Sequence, residues 1–204
     1  MLHLRLNLIA AGPAALGACV RYIETEVRPA VEGEPGSLGM TLLLSADRGV
    51  AVLESFWVSD HALVASEEAA ASLRGELARR AGAAVTGEQY RIEVFERDAL
   101  VHGGEAVRLT RIEARPSAVD DVVEAFGDSA VPSLAETPGF LGALLLTDPH
   151  SGHILSETVW RAPQARAASP STAAVIKADV LESAGLVIRS VDDYDLVFSS
   201  ARKP

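Results

Sequence analysis

Asn7, Trp57 and His61 are the residues whose types and placement could act on a small molecule. Asn7 stands in an alternating segment and shares its face with Arg5, so its amide could hold a substrate carbonyl in a pocket between a sheet and its helices. Trp57 ends an apolar run and could wall the same pocket, although a large aromatic also simply fills a strand–helix junction. His61 follows one turn later, at the start of an expected helix. An imidazole there could act as a general base near neutral pH or stay solvated on the surface. Together the three are the candidate catalytic residues.

The other reactive side chains read as structural. Glu54 and Glu157 point to the face opposite the tryptophans and suit accepting hydrogen bonds better than abstracting protons. His150 and His153 flank one turn, with no carboxylate or thiol spaced to complete a metal sphere. Arg74 and Lys177 hold equivalent helix positions and could meet an anionic ligand, but such side chains are more often solvated. Cys19 lies on an apolar helix face, matched by Val122 in the second half, and reads as a buried, inert thiol. The sequence contains no Ser–His–Asp order, phosphate loop or GxGxxG.

The elements that position these residues come from a repeat. At one constant offset, without a gap, Arg5 falls on Arg108, Pro13 on Pro116, Pro29 on Pro132 and Pro35-Gly36 on Pro138-Gly139. Gly39 then falls on Gly142, Glu54 on Glu157, Trp57 on Trp160, Ser66 on Ser169 and Val94-Phe95 on Val197-Phe198. Leu2, Leu4, Leu6 and Leu8 alternate with polar residues, the period of a two-faced strand. Leu16, Val20, Ile23 and Val27 then mark one helix face, with Pro29 expected to end or kink the helix. Apolar runs at Leu38–Ser45 and Val50–Trp57 flank a tight turn whose closing Gly49 takes positive φ. Ser59-Asp60 caps a helix that continues to Gly82. Its counterpart starts at Pro163, is interrupted by Pro170 and stops near Gly185. Closing strands run over Tyr90–Glu96 and Tyr194–Ser200. Each copy is β-α-β-β-α-β, so the fold class is α+β, with two ferredoxin-like units forming an internal pseudo-dimeric α/β barrel. The expected domains are 1–96 and 106–204, joined by a linker at 97–105 whose flexible point is Gly103-Gly104.

Composition sets the partners. The chain has 204 residues, 49% hydrophobic and 23% charged, enough for packed cores. Its formal charge of −10 argues against nucleic acid and an anionic membrane surface, because no basic stripe faces phosphate. A lone cysteine fits a reducing, cytoplasmic setting and leaves no internal disulfide. Leu16-Gly17-Ala18-Cys19 mimics a lipobox, yet Arg5, Asn7, Gly12 and Pro13 interrupt the apolar run before it, and the repeat makes that run a strand and helix. The partner expected is a small molecule, with the barrel formed inside one chain that is a monomer or homodimer.

The run from Pro35-Gly36 through the hairpin to Glu54-x-x-Trp57, then a helix with Ala62, Ala65 and Ser66, resembles the antibiotic biosynthesis monooxygenase-like family of dimeric α/β-barrel proteins. The likeness covers both halves. It implies the barrel and, among relatives, either cofactor-free oxygenation of aromatic substrates or heme degradation. Heme-degrading members would need Asn7, Trp57 and a histidine about two turns into the next helix. Ser66-Glu67 stand there instead, so the resemblance disfavours heme and implies no cofactor. The cofactor-free members surround their substrate with Asn, Trp, Tyr and Arg. The reading is an apolar or aromatic ligand pocket, expected in the first half, with cofactor-independent monooxygenation as its chemistry. The alternative is a non-catalytic ligand-binding or structural barrel.

Overall fold

The computed structural model describes residues 1–97, 101, 103–148, 150–175 and 184–202. Pro149, Lys177, Lys203 and part of the expected linker (98–100 and 102) lie outside the described residues, as do 176–183, where the sequence predicts the rest of the second half's last helix. Two compact units make up the chain: Met1–Tyr90 with Leu196–Pro204, and Arg91–Asp195.

The first unit opens with β1 (Leu2–Ala10) and continues through α1 (Pro13–Tyr22), a π turn (Ile23–Val27) and α2 (Arg28–Glu32). Next come β2 (Ser37–Ser45), β3 (Val50–Trp57), α3 (Asp60–Ala65), α4 (Glu67–Ala81) and β4 (Ala84–Arg97), whose last residues belong to the second unit. The second unit contains β5 (Ala106–Glu113), a 3-10 turn (Pro116–Ala118), α5 (Val119–Ala125), a π turn (Phe126–Ala130) and α6 (Val131–Ala135). It continues with β6 (Phe140–Asp148), β7 (His153–Trp160), α7 (Pro163–Ala168), α8 (Thr172–Val175) and β8 (Val187–Ser199), whose residues from Leu196 on belong to the first unit. The eight strands hydrogen-bond in the order β1-β3-β2-β8-β5-β7-β6-β4, which closes into a barrel. The α+β class and the order of ferredoxin-like elements are those read from the sequence. No helix among the described residues is long and apolar enough to cross a membrane.

Alternation on β1 sends Leu4 and Leu6 to one face, both fully buried, and Arg5, Asn7 and Ile9 to the other, against the first unit's helices. The core on that helix side joins Ile9, Cys19, Ile23, Met40, Leu42, Trp57, Leu63 and Leu77. Burying each large member stabilises the unit by roughly 1.5–3 kcal/mol, as an upper estimate. The second unit's core repeats the plan with Ile112, Val122, Phe126, Leu145 and Ile154.

Of the two outcomes expected at Pro29, an end or a kink, the structure excludes the end. The first helix does not end at Pro29. It widens into the π turn, where the Arg28 N–H reaches Ile23 O, five residues back, and α2 follows. Proline has no N–H for the carbonyl four residues earlier, and the wide turn sets that carbonyl aside while the helix continues. The same device precedes Pro132, where the Val131 N–H reaches Phe126 O. At Pro170 the expected break occurs: α7 stops at Ala168 and Ser169 turns extended (φ −74, ψ 149), the conformation a following proline imposes.

Candidate functional site

β1 supplies the polar side of the first unit's cavity. Arg5 is 2% exposed and Asn7 7% exposed, both on the helix-facing side of the strand. Arg5 is held in place from several directions. Its Nη1 donates to Ser66 Oγ at 2.9 Å and its Nη2 donates to Leu63 O at 2.7 Å. The guanidinium also pairs with Glu67 at 2.8 Å and lies 5.6 Å from the centre of the Trp57 ring. Ser66 separates α3 from α4 and donates back to Leu63 O at 2.8 Å, so the helix break itself makes the arginine's cradle. Trp57 is fully buried, and its Nε1 donates to Ser55 Oγ at 3.1 Å. The same pattern recurs in the second unit. Arg108 donates to Ser169 Oγ and Arg166 O, each at 3.0 Å, and Trp160 Nε1 donates to Thr158 Oγ1 at 3.0 Å.

The units differ in the charges around that shared frame. In the first, Glu67 accepts from Arg5 and from Arg74, seven residues along α4. In the second, Pro170 stands where Glu67 would fall, and Asp193 on β8 serves Arg108 at 3.4 Å and Arg166 at 3.3 Å. Burial lowers the Arg5 pKa below its ordinary value; Glu67 opposes this and neighbouring Arg74 adds to it. Burial pushes the Glu67 carboxyl up, but its bond to Arg74 and the charge of Arg5 outweigh that and hold it below the usual carboxylate range.

Between β1, α2 and α4 lies a cavity of about 410 Å³, its open mouth included. Its walls are mostly apolar, with Ile9, Met40, Leu53, Leu73 and Leu77 around the polar groups of Arg5, Asn7, Ser55 and Arg74. Asn7 Oδ1 is buried there and has no hydrogen-bond partner among the described residues. A second cavity of about 220 Å³ shares Arg5, Val31, Ala70 and Leu73 with the first and is walled by Trp57, Ser66 and Glu34. Asn7 and Trp57 are thus joined through Arg5, on adjoining cavities. His61 is exposed on α3 and lines neither.

Sequence reasoning passed over Arg5 and Glu67 as site residues and left Arg74 between an anionic ligand and solvent, with solvent favoured. The available signal was Arg5 sharing a strand face with Asn7 while matching Arg108, together with Ser66 matching Ser169. A charged residue on a buried face needs a fixed partner set. Cys19 is buried, and burial raises its thiol pKa. His150 and His153 are exposed. Glu157 is fully buried and accepts from Arg97 Nη2 at 2.7 Å, within the second unit. Among the described residues no three His, Cys, Asp or Glu side chains converge as a metal site. Where an iron-binding imidazole would be expected, Ser66 is tied to Arg5 and Leu63, and Glu67 to Arg5 and Arg74. That set does not fit heme ligation.

No family model matches the chain. Two uncharacterised proteins of Mycobacterium tuberculosis, Rv2557 and Rv2558, are 26% and 24% identical to it. The alignments cover all of this chain and 91% and 87% of theirs. Among solved structures, a proposed monooxygenase of Lactobacillus acidophilus has a TM-score of 0.67 at 14% identity, covering 98% of this chain and 94% of its own. An anthrone oxidase-like protein also has a TM-score of 0.67, at 16% identity, with 100% and 95% covered. A ferredoxin-fold protein of Listeria monocytogenes related to antibiotic biosynthesis monooxygenases has a TM-score of 0.51 at 13% identity, with 94% of each chain covered. A heme-degrading enzyme of Listeria monocytogenes has a TM-score of 0.52 at 13% identity, with 94% and 98% covered. The fold is therefore that of the proteins related to antibiotic biosynthesis monooxygenases, as the sequence resemblance implied. The same fold also hosts heme chemistry.

Proposed function

We propose that the first unit's cavity binds a small aromatic or apolar molecule and that the protein oxygenates it without a cofactor. The observation that carries this reading is Asn7 Oδ1, a buried acceptor without a partner among the described residues, in a cavity whose walls are mostly apolar. A lone buried polar atom costs about 1–3 kcal/mol, a cost that a donor on a bound ligand removes. In such a reaction an electron-rich substrate anion passes electrons to dioxygen. A CH2 group becomes C=O, one oxygen atom enters the product and the other leaves as water. The protein's share is to orient the substrate through Asn7, to stabilise its anion with Arg5 and Arg74, and to exclude water with Leu53, Leu73 and Leu77. Trp57 acts through Arg5, whose guanidinium it faces. His61, exposed and off both cavities, has no part in this scheme.

A second reading, binding without catalysis, is favoured by the walls themselves. The residues lining the larger cavity include two arginines but no carboxylate or imidazole to accept a proton. An oxygen electrode separates the two readings. Anthrone-like and naphthol substrates should consume oxygen in the presence of the protein, and Asn7→Ala should weaken substrate binding by about 1–3 kcal/mol. Thr110→Ala, at the matching position of the second unit, should leave binding unchanged. Tight binding with no oxygen uptake supports the binder. Equal losses in the two variants would remove the first unit's claim to the site.

A further inference from the structure

The polar side of the cavity carries an imbalance of charge and two unspent hydrogen-bonding atoms. Arg5 and Arg74 both line it, and the single carboxylate of Glu67 serves them both. Arg5 Nε is buried without a partner among the described residues, and so is Asn7 Oδ1, two residues along the same strand face. One atom can only donate and the other accepts, so a ligand that satisfies both must present an acceptor and a donor close together. Residues i and i+2 of a strand lie about 7 Å apart, which two neighbouring substituents on a ring can bridge.

Gly87 on β4, itself exposed, stands beside that polar edge, next to Asn7 and Arg74. Gly87 does not need glycine's conformational range, for it is not among the residues with positive φ. A Cβ at this position would stand 3.4 Å from Asn7 Oδ1 and 3.8 Å from the Arg74 guanidinium carbon. Glycine inside a strand weakens it and marks a spot where another group comes close. The amide and the carboxylate are not repeated in the second unit, where Thr110 and Pro170 occupy the positions of Asn7 and Glu67.

Resting on the reading of this cavity as a ligand site, we infer that its ligand is a small aromatic acid bearing an adjacent hydroxyl. The carboxylate meets Arg5 and Arg74, and the hydroxyl donates to Asn7 Oδ1 beside Gly87. Two guanidinium groups, of which Arg5 is buried, share one carboxylate and leave a net positive charge on this side of the cavity, which selects an anion over a neutral molecule of equal shape. The hydroxyl, in turn, selects against an acid that cannot donate.

Three fluorescent probes titrated into the full chain near neutral pH test this: 3-hydroxy-2-naphthoate, 2-naphthoate and 2-naphthol. The hydroxy acid should bind at least about tenfold more tightly than either comparator: a charge-assisted bond separates it from 2-naphthol, and a bond to a buried, otherwise unpaired acceptor separates it from 2-naphthoate. Arg74→Gln should erase the advantage over 2-naphthol while Arg74→Lys keeps part of it. Gly87→Val should weaken all three probes. Far-UV circular dichroism checks that each variant folds; if Gly87→Val does not fold, the Arg74 pair decides alone. If 2-naphthol binds as tightly as the hydroxy acid, or the preference survives Arg74→Gln, the charge inference is overturned while the cavity reading stands. If none of the probes binds, both fall together.

Discussion

Glu67 is the residue on which the first unit's charge network turns. It is the common partner of Arg5 and Arg74, and its carboxyl is held below the usual range because those bonds outweigh the cost of burial. A carboxyl whose folded pKa lies below its unfolded value adds stability that is full above the unfolded pKa and is lost as pH falls through the folded one. Glu67→Gln should therefore lower the unfolding midpoint at neutral pH, and the gap to the parent protein should close in acid, below the ordinary carboxylate range. Denaturant unfolding of both proteins across that range checks it. A gap of constant size would place the effect in packing and not in charge. The sequence brought out Asn7 and Trp57, and both border the cavities, because alternation and strand ends are local properties. It did not bring out Glu67. Nothing in its neighbourhood says that an arginine sixty-two residues earlier will turn inward, and only the meeting of β1 with α4 joins them. His61 was drawn in by its chemistry alone; the first turn of α3 leaves it in solvent.

At the scale of elements, glycine positions carried the clearest signal. Pro35-Gly36 and the Gly49 turn stand where the sequence placed them, and β3 runs over Val50–Trp57 as expected. Strand extents were harder. β4 starts at Ala84, six residues before the expected Tyr90, because Thr86, Gly87, Glu88 and Gln89 show neither apolar alternation nor strand-forming bulk. At the first helix the sequence left open whether Pro29 ends or kinks it, and a π turn carries the helix past the proline. Gly39 shows how closely an element can depend on one residue. It sits at the irregularity in the β2–β3 register with φ +106, and a Cβ there would lie 2.3 Å from Ser200 O. Both the backbone and the approaching segment exclude a side chain. Gly39→Ala should cost roughly 1–3 kcal/mol of stability, the range for a residue forced into a sparsely populated backbone region. Chemical denaturation measures it, and an unchanged midpoint would mean that the end of the chain is not held against β2.

For the molecule as a whole, alternation reveals which face of a strand is buried but not which strand lies beside it, so the pairing order is the least legible level. The first compact unit includes Leu196–Pro204, more than a hundred residues after Tyr90, where its continuous part ends. That distant segment is built into the unit's core. Phe198 is 8% exposed within the cluster of Ile9, Met40 and Trp57, and the Arg28 guanidinium lies 4.6 Å from its ring centre. Beyond it, Thr41 and Ser199 hydroxyls meet at 2.9 Å, the Ser200 N–H donates to Met40 O at 2.8 Å and the Arg202 N–H donates to Leu38 O at 2.9 Å. A fragment of residues 1–96 would keep every helix of the first unit and still lack this strand, leaving the β2 backbone groups and the Phe198 pocket uncovered. Phe198→Ala in the full chain should cost about 3–5 kcal/mol, the usual range for emptying a buried aromatic site. Deleting residues 196–204 should cost more, since the backbone bonds go as well. Near-UV circular dichroism in a Trp160→Phe background, which leaves Trp57 as the one tryptophan, reports the packing of the first core, and its signal should collapse in the deletion before the second unit unfolds. A deletion variant with native stability and an intact Trp57 signal would show that Met1–Tyr90 completes its own core.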